Sequence, residues 1–185
     1  MDENDSELYR KYRNGDEAAF DELIRMYDEP LIMYLYGILH DYHDAEDIMV
    51  EAFARILEKK PRIEEGCFKS YLFKTGRNLA INLLKHLRRH EQFSIEGMDI
   101  EAALDASPDK ASAAADQKVI LKRCLNRIDE ELREVLYLIY LDELSYREAA
   151  GVLKVNTKRI DNLLERGKKR MREELKKEGV TDPFI

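Results

Sequence analysis

The segment from Leu144 to Arg172 constrains the fold more than any other part of the chain, because it has the pattern of two short helices joined by a tight turn. Ser145, followed three residues later by Glu148, forms a capping box that predicts the start of the first helix. Lys154 falls in the predicted turn, and Asn156 is a suitable cap for a second helix. The segment therefore predicts a helix-turn-helix.

Both predicted helices are amphipathic, since apolar residues recur at helical spacing. The apolar positions are Ala149, Ala150, Val152 and Leu153 in the first helix and Ile160, Leu163, Leu164 and Met171 in the second. The opposite face of the second helix carries cations and an amide, which match the phosphate oxygens and base edges of a DNA major groove. These candidate DNA-binding residues are Lys158, Arg159, Asn162, Arg166 and Lys169.

The distribution of charge favours this interpretation over a helical hairpin whose basic face is merely solvated. Residues 147 to 177 contain eleven Lys or Arg and five Asp or Glu, whereas the whole chain has a net charge of -7. Basic charge is therefore concentrated in one segment of an acidic protein, which is typical of a confined nucleic-acid surface.

Composition places the chain among helical proteins. Its 185 residues, 44% of them hydrophobic, are enough for two small cores, and strand signals are nearly absent. There is no long uncharged apolar run, and residues 1 to 7 lack the basic and apolar regions of a secretory signal. We therefore expect a cytoplasmic protein without direct membrane insertion.

A compositional change from residue 93 to residue 116 predicts a linker. This stretch contains six acids and one Lys, and Ala, Asp, Ser and Pro108 replace the aromatic and aliphatic residues on either side. Some helix is expected near residues 111–115. The predicted fold is all-α, with two small helical domains at residues 1–92 and 117–179, a flexible acidic linker at 93–116 and a tail at 180–185.

Four amphipathic helices are predicted in the amino-terminal domain. They cover Glu17–Tyr27, the stretch from Pro30 to Leu39, Asp44–Lys59 and Phe68–His90. Pro30 is placed in a first turn, where a proline is tolerated. The four helices predict a compact helical domain.

Charges are separated within this domain. Acids cluster before and within the third helix, whereas residues 69 to 90 contain no Asp or Glu. This acid-free helix carries six cations together with aromatic and amide side chains, a combination that holds a nucleic-acid backbone and stacks bases. Some of its apolar residues must instead be core, and we expect Leu72, Leu79 and at least one aromatic residue to face inward.

At this point the pattern resembles the sigma-70 family of bacterial transcription initiation factors, in particular the small extracytoplasmic-function type with regions 2 and 4 only. Gly15–Phe20 is similar to the opening of that group. Asp44–Asp47 with Glu51–Phe53 resembles region 2.2, Phe68–Asn82 resembles regions 2.3 and 2.4, and the stretch from Leu144 resembles region 4. The resemblance covers nearly the whole chain.

The resemblance implies a non-enzymatic factor that binds core RNA polymerase, recognises the −35 and −10 promoter elements and promotes DNA opening. An acidic face suits a basic polymerase partner, and the positions matching the polymerase contact are Asp44, Glu46, Asp47 and Glu51. The positions matching the −10 contact are Lys74, Arg77, Asn78, Asn82, Lys85, Arg88 and Arg89. The loop from Lys59 to Gly66 falls where the family shapes a pocket for a flipped base.

The resemblance also implies that the candidate residues of the helix-turn-helix bind the −35 element, and that an anti-sigma factor is a partner. No cofactor or metal is expected. Three positions depart from the family pattern: Lys154 replaces the usual turn glycine, and Asp161 and Leu163 stand where basic residues are common. Lys154 is therefore expected in a left-handed conformation.

Two alternatives belong to other functional classes. One is a stand-alone helix-turn-helix regulator that binds operators as a dimer, which would leave the acid-free helix unexplained. The other is a metal-dependent enzyme using His40 and His43, or His86 and His90, although no supporting pattern of further ligands accompanies them. Cys67 and Cys124 lack a second Cys or His at ligand spacing, so unreactive thiols are expected.

Overall fold

A computed structural model describes residues 3–93, 120–121 and 123–180, and this part of the chain is helical without strands. The helices are α1 (Glu3–Arg13), α2 (Glu17–Leu39), α3 (Tyr42–Lys59), α4 (Phe68–Phe93), α5 (Glu130–Leu136), α6 (Tyr146–Leu153) and α7 (Thr157–Lys177), and a π-helical turn (Tyr137–Leu141) follows α5. Residues 120–121 and 123–126 are also helical. The all-α expectation is confirmed, while the predicted linker and nearly all of the tail lie outside the described residues.

Helix α1 was not predicted. Tyr9 and Tyr12 are almost completely buried, and their rings lie 5.1 Å from Phe68 and 4.6 Å from Phe20 between centroids. The buried Asp5 accepts a hydrogen bond of 3.1 Å from the hydroxyl of Tyr27. These contacts hold α1 against α2 and the start of α4.

The predicted break at Pro30 is wrong, because α2 runs without interruption from Glu17 to Leu39. A proline inside a helix has no N–H for the carbonyl four residues earlier and its ring crowds that carbonyl. Here Leu31 and Leu35 on the same helix are fully buried. Burial of this apolar face outweighs the local cost of Pro30, and one long helix replaces the two that were expected.

Helices α3 and α4 follow the predicted pattern closely. Asp41 caps α3 by accepting a 2.9 Å hydrogen bond from the amide of Asp44. Leu72 and Leu79 are buried as expected, and so are Phe68 and Phe73. A loop of residues 60–67 joins the two helices, and both pack against α2.

The helix-turn-helix forms as predicted. Ser145 and Glu148 make both hydrogen bonds of the capping box, and Asn156 caps α7 by accepting a 2.8 Å bond from the amide of Arg159. Lys154 adopts the expected left-handed conformation, with φ of 58°. All eight predicted apolar positions are buried.

The π-helical turn redirects the chain between α5 and α6. The amide of Asp142 donates a 2.9 Å hydrogen bond to the carbonyl of Tyr137, five residues earlier, and Leu144 donates one of 2.8 Å to Leu138. Glu143 has a φ of 53°. The turn thereby places Ser145 at the start of the helix-turn-helix.

The amino-terminal and carboxyl-terminal helices pack against each other. Helix α5 lies against α2, and α6 lies against α4. Next to the contact of α5 with α2, the ring of Tyr137 in the π-helical turn lies 3.8 Å from the place where a Cβ atom on Gly37 would stand. The two predicted cores are therefore in contact in this conformation.

Candidate nucleic-acid interface

The outward face of α7 presents every residue predicted for the major groove. Lys158, Arg159, Asn162, Arg166 and Lys169 are all exposed. The inner face of the helix fits closely on α5, since a Cβ atom on Gly167 would lie 3.2 Å from Cγ of Leu136. Packing against α5 therefore fixes which side of α7 faces solvent.

Arg159 is held by a carboxylate of α5. Its Nη2 donates to both Oε1 and Oε2 of Glu131, at 2.8 and 2.9 Å. Both side chains are about half exposed, so solvent screens this ion pair and its contribution to stability is small. The pair nonetheless occupies a guanidinium that was predicted to bind DNA.

The second candidate surface is the solvent side of α4. Its carboxyl-terminal half is open, with Asn82, Lys85, Arg88 and Arg89 exposed. Lys74, Arg77 and Asn78, nearer the amino terminus, are only partly exposed. The predicted −10 residues thus lie along one helix, but they differ in accessibility.

Arg77 is engaged by Glu134 of α5 in a two-point ion pair. Its Nε and Nη2 donate to Oε1 and Oε2 of Glu134 at 2.9 Å each. The hydroxyl of Tyr34, on α2, donates to the same Oε1 at 3.3 Å. Burial, with the neighbouring Glu134 carboxylate as a second cause, raises the pKa of Tyr34 well above its ordinary value, so this hydroxyl remains a donor.

Lys69 makes a second polar contact between the two halves of the molecule. Its Nζ donates to the backbone carbonyl of Asp142 and lies 4.0 Å from Oδ1 of the same residue. Burial raises the pKa of the Asp142 carboxyl from 3.8 to about 7, and the positive charge of Lys69 opposes this shift. Asp142 was not among the predicted site residues, because its partner Lys69 lies far away in the chain.

A third contact joins His40 to Arg133. Arg133 is buried, and its Nη2 lies 3.3 Å from Nε2 of His40, so the arginine donates and the imidazole accepts. Burial lowers the pKa of His40, and the charge of Arg133 lowers it further. The lowered pKa favours the neutral imidazole, in which Nε2 accepts from Arg133.

The acidic residues predicted to bind polymerase form part of the surface of α3. Asp47 and Glu51 are exposed, while Asp44 and Glu46 are partly exposed. Burial and the neighbouring acids raise the pKa of Asp44. Glu51 pairs with Arg55 one turn later, at 2.6 Å. Large apolar side chains accompany the acids on the exposed surface of this helix, namely Val50 and Leu57.

A cavity of about 590 Å³ adjoins the loop between α3 and α4. This is the loop for which the family resemblance predicted a flipped-base pocket. Its lining includes Arg10 and Arg13 from α1, Ile63 and Glu64 from the loop, and Phe68 from α4. Cations, carboxylates and an aromatic ring therefore surround it. Helix α1, which was not predicted, supplies half of the lining residues.

A second cavity, of about 560 Å³, separates α4 from the helix-turn-helix. Tyr71 and Lys74 line one side, and Arg147 and Gly151 of α6 line the other. The first helix of the helix-turn-helix thus stands over part of the acid-free surface of α4.

The described residues offer no cluster of three or more His, Cys, Asp or Glu side chains arranged for a metal ion. Within the same residues, no helix is long and apolar enough to cross a membrane. Cys67 is half-buried and Cys124 is buried, and both are free thiols. Burial raises the pKa of each thiol, which disfavours the reactive thiolate.

Two family models match the chain. Residues 23–90 match Sigma-70 region 2, and residues 118–171 match Sigma-70, region 4. The first match runs from within α2 into α4, and the second contains α5 and α6 and ends within α7.

Curated relatives agree with these matches. The chain is 27% identical to the ECF RNA polymerase sigma factor SigM of Bacillus subtilis over 89% of its own length and 99% of the relative. It is 26% identical to the ECF RNA polymerase sigma factor SigE of Mycolicibacterium smegmatis over 88% of its length, and spans 65% of that longer protein. The sigma factor RpoE of Bartonella quintana, solved with the anti-sigma factor NepR, has the same fold, with a TM-score of 0.66, 24% identity and coverage of 85% of this chain and 96% of that one.

Proposed function

Because the chain belongs to the sigma-70 family, as a transcription initiation factor of the extracytoplasmic-function type, we propose that its residues divide the work of promoter recognition among three surfaces. Region 2 and region 4 are assigned to residues 1–92 and 117–179, with residues 93–116 as their connection. The observation that supports the proposal best is that one chain carries an acid-free helix and a helix-turn-helix with an exposed basic face.

The first surface, on α3, binds core RNA polymerase. Asp44, Glu46, Asp47 and Glu51 supply negative charge for a basic partner. Val50 and Leu57 add exposed apolar area beside these acids. Charge steers the encounter, while the apolar side chains contribute affinity once water is excluded.

Co-elution with bacterial core RNA polymerase tests this surface. Replacing Asp44, Glu46 and Asp47 together by Ala should abolish the complex. A matched control replaces three exposed acids of α2, Asp21, Glu22 and Glu29, and should co-elute as wild type does. Equal loss in both variants would point to net charge rather than to α3, and no binding by wild type would reject the assignment.

The second surface, on α4, binds the −10 element. Lys74, Arg77, Lys85, Arg88 and Arg89 neutralise phosphates, and Asn78 and Asn82 contact bases taken out of the stack. Unstacking costs a few kcal/mol per base, which capture of the base offsets. The cavity beside residues 60–66 is the proposed receptor for a flipped base.

The third surface, on α7, binds the −35 element in the major groove. Lys158, Arg159 and Asn162 are near the start of the helix, where base edges are read, whereas Arg166 and Lys169 lie farther along toward the phosphates. Asp161 is exposed among them and is suited to accept from a cytosine amino group. The preferred promoter is therefore expected to differ from those of relatives with a basic residue here.

DNA footprinting with the polymerase-bound factor tests both DNA surfaces. Protection at two separated elements is expected, with loss at the upstream element in Asn162→Ala and at the downstream element in Asn82→Ala. A dimeric, palindromic footprint made without polymerase would instead support the stand-alone regulator, an alternative that the family matches do not favour.

The partners follow from the same assignment. We propose that an anti-sigma factor holds the chain inactive, as the structure of the Bartonella quintana factor with NepR suggests by similarity. The protein acts in the cytoplasm, where the polymerase is. Sigma factors are not enzymes, so the chemistry of RNA synthesis belongs to the polymerase.

A further inference from the structure

Two arginines of α1 line the cavity of about 590 Å³ without an internal counter-charge. Arg10 and Arg13 are exposed and one helical turn apart, so they share a face of α1 with Ser6, which also lines the cavity. In the described part of the chain, Lys11 between them pairs with Glu7 at 3.2 Å, whereas neither arginine forms an ion pair. The two guanidinium groups are therefore available to an anion from outside the protein.

We infer that Arg10 and Arg13 bind the phosphate backbone of single-stranded promoter DNA, next to the base that this cavity receives. The inference rests on the proposed function of α4, and it adds α1 to the elements that bind DNA. In this arrangement α1 holds the backbone of the strand, while the loop of residues 60–67 and the start of α4 surround the base.

The cavity has the size and the lining for a nucleotide within a strand. Its volume of about 590 Å³ lies within the range of roughly 300–1,000 Å³ that is usual for small-ligand sites. Its buried lining residues are Tyr9 and Phe68, whose ring centroids are 5.1 Å apart. Burial raises the pKa of Tyr9 to about 12, although the charge of Arg13 opposes this shift, so the hydroxyl stays neutral. Aromatic groups beside cations are the usual combination in single-strand binding sites.

The loop side of the cavity disfavours phosphate. Glu64 and Glu65 line the cavity from the loop, and both are exposed. Carboxylates repel phosphate, but they accept hydrogen bonds from the amino groups of bases. Glu7, the acid that α1 contributes to the lining, has Lys11 as its counter-charge. A backbone that passes this cavity is therefore held on the α1 side.

The position of α1 relative to the loop is fixed before DNA binds. The amide of Gly66 donates a 2.7 Å hydrogen bond to Oγ of Ser6, which lies one helical turn before Arg10. A site whose backbone is already ordered loses less conformational freedom on binding. The arginines therefore need to order only their own side chains.

The α1 arginines and the open half of α4 contact different nucleotides. Phe68 begins α4 and lines the cavity, whereas Lys85 lies in a later turn of the same helix. With a rise of about 1.5 Å per residue, Lys85 lies roughly 25 Å from Phe68 along the helix axis. The contributions of the two helices are therefore separable by the position of the phosphate that each one binds.

A purely structural role for the arginines leads to a different expectation. Helix α1 ends at Arg13, and cations in a last turn offset the partial negative charge of the carboxyl-terminal end of a helix. If this were their only role, replacing the two arginines would lower the melting temperature and leave DNA binding unchanged.

Binding of a short, labelled single-stranded oligonucleotide by the polymerase-bound full chain tests the inference. The oligonucleotide is selected from a random pool by the wild-type complex. Arg10→Ala combined with Arg13→Ala should weaken binding about tenfold, since each exposed ionic contact contributes about threefold. The salt slope should fall by about 1.4, because each phosphate of a single strand contributes about 0.7. Lysine at both positions should retain most of the affinity, since the charge is kept.

The matched control removes two exposed cations that do not line the cavity, Arg25 of α2 and Lys176 of α7. Replacing both by Ala changes the net charge by the same amount and should leave binding as in wild type. Equal weakening in this control would show an effect of net charge and would overturn the inference.

Methylphosphonate substitution, which removes the charge of one phosphate at a time, locates the contacts. The wild-type complex should lose affinity at two separate groups of positions. The variant without Arg10 and Arg13 should become insensitive at the group next to the base in the cavity, and Lys85→Ala at the other group. An arginine variant that keeps the full sensitivity of wild type would overturn the inference.

The same series separates this inference from the proposed function. If the arginine variant binds as wild type does while Lys85→Ala binds more weakly, the contact of α1 fails and the assignment of α4 stands. If the wild-type complex selects no single-stranded oligonucleotide, the assignment of α4 fails as well. Binding of a free mononucleotide as tight as that of the oligonucleotide, and dependent on Arg10 and Arg13, would assign the site to a soluble ligand and overturn the assignment to DNA.

Discussion

The hydroxyl of Tyr9 donates a 2.7 Å hydrogen bond to the carbonyl of Pro61, which ties the first helix to the loop between α3 and α4. The amide of Gly66 makes the same connection by donating to Oγ of Ser6 at 2.7 Å, and the hydroxyl of Tyr12 ties α1 to α3 by donating to the carbonyl of Leu57 at 2.8 Å. Helix α1 therefore holds in place the loop that borders the cavity of about 590 Å³.

Tyr9→Phe should weaken the attachment of α1 to this loop without unfolding the domain. The variant keeps the buried ring but leaves the Pro61 carbonyl without its donor, which costs about 1 kcal/mol. Amide hydrogen exchange in residues 60–66 should speed up, and the melting temperature should fall by a few degrees, about 2–8 °C. Tyr42→Phe, at a half-exposed tyrosine on α3, is the control and should change neither value.

Lys154→Gly should stabilise the protein. Lys154 has a φ of 58°, a conformation that glycine adopts without the steric cost of a Cβ atom. We expect a gain of about 1 kcal/mol in the free energy of unfolding, measured by urea denaturation. Glu165→Gly, in the middle of α7 with ordinary helical geometry, should instead cost about 1 kcal/mol. A loss in both variants would show that the side chain of Lys154 outweighs its backbone strain.

Asp142 should make stability depend on pH. Its pKa is about 7 in the folded chain, against 3.8 for an ordinary aspartate, so the folded chain retains a proton that the unfolded chain releases between these values. This contribution is fully present below about pH 4 and is lost as the pH rises through about 7. Asp142→Asn should remove this part of the slope and raise the melting temperature at pH 8 by a few degrees, roughly 2–4 °C.

Melting curves between pH 4 and pH 8 measure this effect. His40 contributes with the opposite sign, because its lowered pKa favours the folded chain at high pH and the contribution is lost on acidification. Comparing Asp142→Asn with wild type at each pH isolates Asp142, since His40 is the same in both. Parallel curves would contradict the prediction.

Two positions of α7, about two helical turns apart, should differ in how they affect DNA binding. Lys169→Ala should weaken binding of the polymerase-bound factor to all promoter sequences alike and reduce the salt dependence by about one phosphate contact. Asn162→Ala should instead relax the preference at one base pair, at a cost of about 1–3 kcal/mol for the preferred sequence. Affinities measured at several salt concentrations on matched promoter variants distinguish the two. If Lys169→Ala instead changed the base preference and Asn162→Ala weakened binding to all sequences alike, the helix would be oriented differently in the groove.

Local features of this chain were predictable from its sequence. The capping box at Ser145 and the cap at Asn156 each depend on residues within one turn of each other, and the left-handed Lys154 was expected because it replaces the turn glycine of the family pattern. The inward faces of α4 and α7 follow from helical periodicity, which the buried Leu72 and Ile160 confirm. These predictions needed no knowledge of tertiary structure.

Features that depend on distant residues were not predictable. Pro30 stays within a helix because its neighbours are buried by the other helices, and α1 is held by distant residues, since Tyr9 packs on Phe68 and the hydroxyl of Tyr12 donates to the carbonyl of Leu57. Tyr34 and Glu134 are a hundred positions apart, and nothing in their local sequence indicates that they meet. The same holds for the partners of Arg77 and Arg159, since a sequence pattern places a side chain on a face without saying what covers that face.

The two ion pairs of α5 have a consequence for the surface charge of the protein. In this conformation the carboxylates of Glu134 and Glu131 each lie against an arginine, Arg77 of α4 and Arg159 of α7. The positive charge that these two helices present to a partner is therefore smaller than a count of their Lys and Arg residues indicates.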